Sequence, residues 1–373
     1  MKKIVVFGAG MVGSAMVLDL CKEHKVTCVD LNQQNLELLK LKGIDTKIAD
    51  FKDNNKVKEI ALQNDLVIGA VPGFLGFDFL KDIISTGKNV VDISFFPEDA
   101  LQLEDLAKKN NVTAVVDCGV APGMSNIILG YHNKRMKVES FECYVGGLPV
   151  ERVLPFQYKA PFSPIDVIEE YTRPARIVID SKEVIMEALS DPEYIDFPHI
   201  GTLQAFNTDG LRSLIKTMNI PNMKEKTLRY PGHIDKIKFL KESGFFSDVD
   251  IIVDDKKVKP IEITAKLLFD KWKLGKEEEE FTVMRIIIKG TENNKLKKYQ
   301  YDLFDKYDPV SKTSSMARTT GYTATAVANL ILNGNFNRKG IIPPEYISED
   351  EDSFNSILSY LTERNIIYRL KKY

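Results

Sequence analysis

Three glycines near the amino terminus, Gly8, Gly10 and Gly13, have the spacing G-x-G-x-x-G and follow an apolar stretch. This pattern predicts a strand that turns tightly at Gly8, leaves room for a pyrophosphate at Gly10 and leads into a helix packed closely at Gly13. The free N–H groups at the start of that helix would face the phosphates, so Met11 and Val12 are expected at the ligand as well. The expected chemistry is dinucleotide binding; the alternative is a glycine-rich turn of another α/β protein.

Asp30 lies at the end of a second apolar strand, about 20 residues beyond the glycines. A carboxylate at this place binds the hydroxyl groups of the adenine ribose. Its charge would repel a 2′-phosphate, and no arginine follows it immediately, since the next residues are Leu31 and Asn32. The sequence therefore predicts NAD as the cofactor rather than NADP.

Other residues are expected at the same edge because ligands bind at the carboxyl ends of parallel strands. One apolar strand stops at Pro72, so Ala70, Val71 and Pro72 should pass the nicotinamide ribose. Asp50 ends a short third strand, where it could flank the adenine. Asp117 follows the sixth predicted strand and is thus placed where substrate chemistry takes place in this architecture.

The elements that must position these residues are six successive strand and helix repeats, which predict a Rossmann-like, doubly wound parallel sheet. From about residue 141 the pattern changes to alternating strands, which predicts a second α/β domain with a mostly antiparallel sheet. Its predicted strands are 141–145, 175–179, 251–253, 261–265, 280–289 and 298–304, with helices at 164–171 and 210–218 and a solvated loop or helix end at 276–280.

The segment 320–332 is rich in small residues and nearly apolar all round, which predicts a deeply packed helix. We expect this helix to return to the dinucleotide-binding domain, which would then comprise residues 1–125 and 316–373. The inserted domain, 126–315, would bind substrate and form a homodimer. The remaining predictions are a linker at 335–344 and a final amphipathic helix at 351–365.

Composition excludes several classes of partner. The 373 residues allow about two domains, and a formal net charge of −2 leaves no broad basic surface for nucleic acid, so a small molecule is the expected partner. No apolar run approaches the roughly 20 residues of a membrane span, and the amino terminus lacks a signal-peptide cleavage site. Four cysteines without a C-x-x-C pair predict reduced thiols, no zinc or other metal site, and a soluble protein of the cytoplasm.

Several motifs beyond the glycines together resemble the saccharopine dehydrogenase superfamily over nearly the whole chain. They are GGLP at 146–149, YKA at 158–160, FSP at 162–164, DGLRS at 209–213, TLRYPGH at 227–233, RTTG at 318–321 and IIPPE at 341–345. The segment 169–176, EEYTRPAR, is most similar to the lysine 6-dehydrogenase branch. The resemblance implies oxidative deamination of lysine at the ε-carbon, with hydride transfer to NAD, loss of ammonia and cyclisation of the semialdehyde.

A substrate of that kind needs an arginine for its carboxylate and carboxylates for its ammonium groups. Arg229 is the first candidate because a guanidinium fork matches a carboxylate, and the resemblance implies the same role; the alternative is an arginine paired with a nearby acid. Asp117 could bind the substrate ammonium, assist proton removal or merely cap its turn. His233 titrates in a useful range, although a structural role is the alternative.

Further candidates have weaker patterns. Tyr158 and Lys159 could form an acid–base pair if the pKa of Lys159 were depressed. Arg212 could assist anion binding or start a helix, and Arg318 and Thr319 could point donors at substrate or nicotinamide, with helix capping as the alternative.

Two departures bear on the choice of substrate. The arginine typical of NADP sites is absent after Asp30, and the segment after GGLP, 150–152, differs from the longer loop of saccharopine reductases, which favours a smaller substrate. The alternatives are a saccharopine or carboxynorspermidine dehydrogenase and, from another class, a non-catalytic NAD-binding sensor.

Overall fold

The computed structural model describes residues 1–160, 164–275 and 278–373, which form two compact units. The first unit comprises Met1–Lys137 and Met316–Tyr368, and the second comprises Val138–Ser315 and Arg369–Tyr373. The second unit is therefore an insertion in the first. Phe162 and Ser163 of the FSP motif, and residues 276–277 of the predicted loop, lie outside the described residues.

The sheet of the first unit is parallel and has seven strands over the described residues. They are β1 (Lys3–Phe7), β2 (Lys25–Asp30), β3 (Asp45–Ile48), β4 (Leu66–Gly69), β5 (Val90–Asp92), β6 (Thr113–Val115) and β17 (Gly340–Ile342). Their order across the sheet is β17-β6-β5-β4-β1-β2-β3. The order reverses between β1 and β4, which opens a crevice at the carboxyl ends of the strands. This arrangement confirms the predicted doubly wound sheet.

Helices cover this sheet and bury its apolar strands; Val5, Val67 and Val90, for example, are fully buried. The helices are α1 (Met11–Leu20), α2 (Gln33–Lys40), α3 (Asn54–Leu62), α4 (Gly73–Ser85), α5 (Glu104–Lys109), α6 (Met124–Asn133), α11 (Ser315–Leu332) and α12 (Glu351–Glu363), with 3-10 helices at Ala100–Leu103 and Pro344–Glu349. None of the described helices combines the length and hydropathy that a membrane span requires.

The interpretation of residues 335–344 as a linker is wrong, because they contain β17. This short strand pairs in parallel with β6, and its Ile341 N–H also donates to the carboxylate of Glu104. Three residues are too few to show a periodic pattern, so only the partner strand reveals the seventh member of the sheet.

The boundary between the units follows α6, beyond the predicted position at residue 125. α6 belongs to the first unit because Asn126 donates to the carboxylate of Glu345 at 3.0 Å and the hydroxyl of Ser348 donates to the carbonyl of Ile127. The carboxyl-terminal residues from Arg369 onward join the second unit instead of the first.

A buried carboxylate, Asp19 of α1, connects α1 with the two long carboxyl-terminal helices. One oxygen accepts from Arg364 at 2.8 Å, and the other accepts from the hydroxyls of Thr325 at 2.8 Å and Tyr360 at 2.6 Å. The Asp19 side chain is fully buried, and the Arg364 guanidinium lies over the Tyr360 ring. The return of α11 and α12 to the first unit therefore depends on a polar network as well as on apolar packing.

The second unit contains, in its described part, a mixed sheet of nine strands and a separate two-stranded ribbon. The strands of the sheet are β7 (Lys137–Pro149), β8 (Ala175–Ile179), β9 (Lys182–Met186), β10 (Glu193–Phe197), β11 (Gly201–Asn207), β12 (Asn222–Arg229), β15 (Glu280–Glu292), β16 (Lys295–Lys306) and β18 (Tyr368–Lys372); the ribbon is β13 (Ile251–Val253) and β14 (Lys256–Val258). β12 pairs in parallel with β7, whereas the β10–β11, β11–β12, β8–β9 and β15–β16 pairs are antiparallel.

The helices of this unit are α7 (Pro164–Thr172), α8 (Leu214–Thr217), α9 (His233–Glu242) and α10 (Pro260–Trp272). The strand predicted at 261–265 is wrong, because those residues form the first turns of α10. Leu268 and Trp272, four residues apart on that helix, are both buried, which is the spacing of one helical face.

Candidate functional site

The glycine loop of the first unit has the geometry that each glycine position requires. Gly8 has a φ of 116°, and a Cβ atom there would lie 2.2 Å from the carbonyl oxygen of Ala70. A Cβ atom on Gly13 would lie 2.0 Å from the carbonyl oxygen of Gly8. Around Gly10, in contrast, no heavy atom lies within 4 Å of a Cβ position. The loop is therefore closed at Gly8 and Gly13 and open at Gly10, where a ligand needs space.

The first turn of α1 follows this opening directly. Gly10 is the N-cap residue and provides no side chain to the helix, and Met11, Val12 and Gly13 are the first helical residues. Their N–H groups have no acceptor within the helix, as at every helix start. Together with the helix dipole, these N–H groups form a candidate phosphate-binding site. Such a site agrees with the dinucleotide that is expected from the sequence.

Asp30 is held against the glycine loop by two backbone hydrogen bonds. The N–H of Ala9 donates to Oδ2 at 2.6 Å, and the N–H of Asn32 donates to Oδ1 at 2.7 Å. These two bonds fix the carboxylate beside the candidate pyrophosphate-binding site. Its remaining lone pairs can accept hydrogen bonds from ribose hydroxyls.

The other predicted cofactor residues lie at the carboxyl edge of the same sheet. Ala70 follows β4, and its N–H donates to the carbonyl of Phe7 in β1 at 2.8 Å. Val71 is buried and Pro72 is the N-cap residue of α4. Asp50 is exposed after β3, and its carboxylate accepts from the N–H of Lys52 at 2.9 Å.

Asp117 lies in the turn after β6 with a φ of 51° and is 7% exposed. Its neighbour across the sheet edge is Asp92, a fully buried carboxylate at the end of β5 that the sequence analysis missed. The two oxygens of Asp92 accept from the N–H and the hydroxyl of Ser94 at 2.9 and 3.0 Å. Burial, with the charges of Asp92 and Asp117 adding to it, raises the pKa of the Cys118 thiol and favours its protonated form. The signal for Asp92 was its place at the end of the apolar strand β5 (Val90–Asp92).

The second unit holds a buried cluster around Arg229, the last residue of β12. This side chain donates to Glu170 Oε2 at 2.7 Å, to Tyr171 Oη at 3.0 Å, to Tyr158 Oη at 3.3 Å and to the carbonyl of Leu228 at 3.0 Å. Arg229 is only 1% exposed. The sequence predicts that the Arg229 guanidinium binds a substrate carboxylate. In the structure, the carboxylate of Glu170 already occupies that position.

A chain of hydrogen bonds runs from Arg229 to His233 and fixes the imidazole as neutral. His233 Nδ1 lies 2.9 Å from the carbonyl of Phe156, which can only accept, so Nδ1 carries the proton. Nε2 then accepts from the hydroxyl of Tyr171 at 2.9 Å, and that oxygen accepts from Arg229. Burial, reinforced by the charge of Arg229, lowers the pKa of His233 to about 3. The prediction that His233 titrates in a useful range is wrong.

Tyr158 and Lys159 do not form the predicted acid–base pair. The Tyr158 ring lies in the cluster, 4.3 Å below the Arg229 guanidinium, and burial raises the pKa of its hydroxyl. The Lys159 ammonium points to another part of the unit, 3.4 Å from the carbonyl of Lys273 and 3.6 Å from Glu278. Successive residues of an extended segment point to opposite sides, which explains the separation.

The remaining candidates belong to other elements. Arg212 of the second unit is buried and has a φ of 50°, in the turn before α8. In the first unit, Arg318 and Thr319 belong to the first turns of α11. Arg318 donates to the carbonyl of Arg364 at 2.8 Å, and the Thr319 hydroxyl lies 3.4 Å from the carbonyl of Met316. Arg318 thus binds the carbonyl at the carboxyl-terminal end of α12, whereas the Thr319 hydroxyl bonds back within α11 and does not cap it.

Glu170 is a further site residue that was not identified from the sequence. It lies on α7, and its side chain is 22% exposed, whereas that of Arg229 is 2% exposed. Burial raises the pKa of its carboxyl group, while the charge and the hydrogen bond of Arg229 lower it. The pairing could not be read from the sequence because Glu170 and Arg229 lie in different elements, far apart along the chain.

Comparison with known proteins agrees with this architecture. The model of the saccharopine dehydrogenase NADP binding domain matches residues 4–115, and that of the saccharopine dehydrogenase C-terminal domain matches residues 119–367. The first match includes the glycine loop, and its description indicates a nicotinamide cofactor.

Relatives of known name are distant in sequence. The mitochondrial alpha-aminoadipic semialdehyde synthase of Rattus norvegicus is 21% identical over 98% of this chain and 47% of its own length. The NADP(+), L-glutamate-forming saccharopine dehydrogenase of Saccharomyces cerevisiae is 26% identical over 66% of this chain and 59% of its own length. The chain thus spans about half the length of the curated relatives that it matches.

The apo structure of the L-Glu forming saccharopine dehydrogenase from Saccharomyces cerevisiae has a TM-score of 0.81 to this chain, with 18% identity and full coverage of both chains. It shares the fold, and the family models cover both units. The chain therefore belongs to the saccharopine dehydrogenase family of oxidoreductases.

Proposed function

We propose that the protein is an NAD-dependent dehydrogenase that oxidises L-lysine at the ε-carbon. The observation that carries the cofactor choice is the Asp30 carboxylate, held beside the glycine loop by the N–H groups of Ala9 and Asn32. A fixed negative charge there favours ribose hydroxyls over a 2′-phosphate. The resemblance of the segment 169–176 to lysine 6-dehydrogenases supports the substrate.

The reaction breaks a C–H bond and then a C–N bond. The nicotinamide ring, when bound, accepts the hydride from the ε-carbon as the amine becomes an imine. Water then adds to the imine carbon, so that the ε-ammonium form of lysine, NAD⁺ and water give 2-aminoadipate semialdehyde, ammonium, NADH and one proton. The semialdehyde cyclises to piperideine carboxylate.

Among the residues of this chain, we propose that Asp117 binds the reacting amine and accepts its proton. The amine must lose a proton before hydride can leave its carbon, and Asp117 lies at the carboxyl edge of the parallel sheet, where substrate chemistry takes place in this architecture. Arg229 is a positioning residue in this proposal, because its donors are used within its own cluster.

A second candidate is the oxidation of saccharopine with NADP. It is favoured by the names of the relatives in yeast, which specify saccharopine and NADP(+). The two reactions share the oxidation of a C–N bond and differ in the second substituent of the nitrogen, hydrogen in lysine and a 1,3-dicarboxypropyl group in saccharopine. A non-catalytic NAD-binding sensor is the candidate of another class.

The test is absorbance at the band of the reduced cofactor, with lysine, saccharopine, carboxynorspermidine or ornithine supplied together with NAD or NADP. Signal with lysine and NAD is expected. Signal with saccharopine and NADP alone would replace the proposal by the second candidate. Cofactor binding without turnover of any of these amines would favour the sensor.

We further propose a cytoplasmic homodimer that forms through the second unit. All four cysteines are free thiols, which fits a reducing compartment. Sedimentation equilibrium of the purified protein would test the dimer, and a monomer at micromolar concentration would contradict it.

A further inference from the structure

The carboxylate of Glu170 has one oxygen in use and one available. Oε2 accepts from Arg229 at 2.7 Å. For Oε1, no hydrogen bond exists with any residue whose side chain the structure describes, which are residues 1–160, 167–275 and 278–373. The side chain is 22% exposed, so a solute can reach it, while its partner Arg229 is inaccessible.

From this arrangement we infer that Glu170 binds an alkylammonium group of the substrate; the inference rests on the proposed oxidation of an amine. An ammonium donates hydrogen bonds and carries positive charge, and the available atom of the cluster is an acceptor on a carboxylate. The ligand class is therefore a primary or secondary alkylammonium, and a carboxylate is rejected.

The charges of the groups around Glu170 support this choice. Arg229 and Glu170 neutralise each other, and His233 is held neutral. The hydroxyls of Tyr158 and Tyr171 are also neutral, because burial raises the pKa of each. An arriving ammonium therefore meets a pair with no net charge, and the group nearest to solvent is the negative one.

A carboxylate would have to displace Glu170 to reach Arg229. Four acceptors already surround the guanidinium: two tyrosine hydroxyls, a backbone carbonyl and Glu170. Displacement would leave the Glu170 carboxylate without its partner in a largely buried place, which is unfavourable. The same contact that closes Arg229 to anions thus presents Glu170 to cations.

The experiment compares two probes, n-pentylammonium and glutarate, by isothermal titration calorimetry with the full chain and no cofactor. The variants are Glu170→Gln and, as a matched control, Glu169→Gln, which changes the preceding residue of α7. Glu169 pairs with Arg173 and its side chain is 44% exposed, outside the cluster.

We expect n-pentylammonium to bind the unmodified protein and the Glu169→Gln variant equally, and the Glu170→Gln variant at least about tenfold more weakly, the effect of losing one charge-assisted hydrogen bond. Glutarate should not bind the unmodified protein. Equal n-pentylammonium affinity in all three proteins, or binding of glutarate but not n-pentylammonium, would overturn the inference.

Glu170→Gln leaves Arg229 without its counter-charge, so its fold is checked by near-UV circular dichroism. If it does not fold, Glu170→Asp decides, because it keeps the charge and shortens the side chain by one methylene. A severalfold loss of n-pentylammonium affinity is expected there, and an unchanged affinity would overturn the inference. Because these titrations need no turnover, failure of lysine oxidation and failure of ammonium binding are separate results.

Discussion

Substitution of Gly10 by alanine should separate cofactor binding from stability. No heavy atom lies within 4 Å of the added Cβ, and the backbone of Gly10, with φ −67° and ψ −174°, is open to any residue. Restricting the unfolded chain stabilises by about 0.4–1 kcal/mol, and exchanging glycine for alanine at an N-cap position costs about as much. The free energy of unfolding should therefore change by less than about 1 kcal/mol.

The same methyl group occupies space that the pyrophosphate requires. Overpacking of this size costs about 1–3 kcal/mol, which corresponds to a roughly 5- to 150-fold rise in the Kd of NADH. The matched control is Gly13→Ala, whose Cβ would lie 2.0 Å from the carbonyl oxygen of Gly8. Since backbone must move there, we expect a loss of about 3 kcal/mol or more in stability.

Urea unfolding followed by circular dichroism measures the stability of each variant, and titration with NADH followed by fluorescence measures the Kd. The reasoning is refuted if Gly10→Ala loses as much stability as Gly13→Ala. It is also refuted if Gly10→Ala binds NADH as tightly as the unmodified protein, because the space around Gly10 would then not hold the pyrophosphate.

Three further predictions concern single charged or titratable groups. Asp30→Asn should weaken NADH binding roughly tenfold and reduce the preference over NADPH, as measured by paired titrations; an unchanged ratio would contradict the ribose role. Because His233 has a pKa of about 3 against an ordinary value of 6.5, the unfolded chain binds the proton first, so stability should fall by up to about 1.4 kcal/mol per pH unit between pH 6.5 and 3. His233→Gln should flatten that part of a urea-unfolding series against pH, and an unaltered slope would exclude His233 as its source. Asp19→Asn should cost about 3 kcal/mol by removing the buried charge partner of Arg364, which then keeps, among the described acidic residues, only the exposed Glu363 at 3.8 Å. The exposed control Asp78→Asn should change stability by less than about 0.5 kcal/mol, and equal effects would show that the Asp19 network contributes little.

The first unit could be predicted well because its signals are local. The tight turn, the opening and the close packing of the loop each depend on one glycine, and the strands of a parallel sheet covered on both faces are continuous apolar runs. The exception, β17, is a three-residue strand that is defined only by pairing with β6.

The second unit was harder because its strands depend on distant partners. β12 contains Lys224, Glu225 and Lys226, so its sequence does not read as an apolar strand, yet all three side chains are buried or partly buried beside other strands. Lys226 is fully buried and pairs with Asp191 and Glu193. Tertiary ion pairs of this kind override local polarity.

The candidate site was predicted in its residues more than in its contacts. Arg229, Tyr158 and His233 were all singled out from the sequence, and all three lie in one cluster. Their expected roles changed because the Arg229 guanidinium already binds Glu170, and because the His233 imidazole is hydrogen-bonded to Tyr171. Neither partner has a fixed spacing from Arg229 along the chain, so no motif could have identified the pairs.

The position of β17 in the chain has a consequence for biosynthesis. While the polypeptide is still leaving the ribosome, the first six strands of the parallel sheet are available, but the outer edge of β6 has no partner and Asp19 lacks Arg364. Both are supplied only after the whole inserted unit has been translated. A nascent chain is therefore expected to finish its amino-terminal unit last, and a transcript truncated within the insert should yield an aggregation-prone product rather than a working cofactor domain.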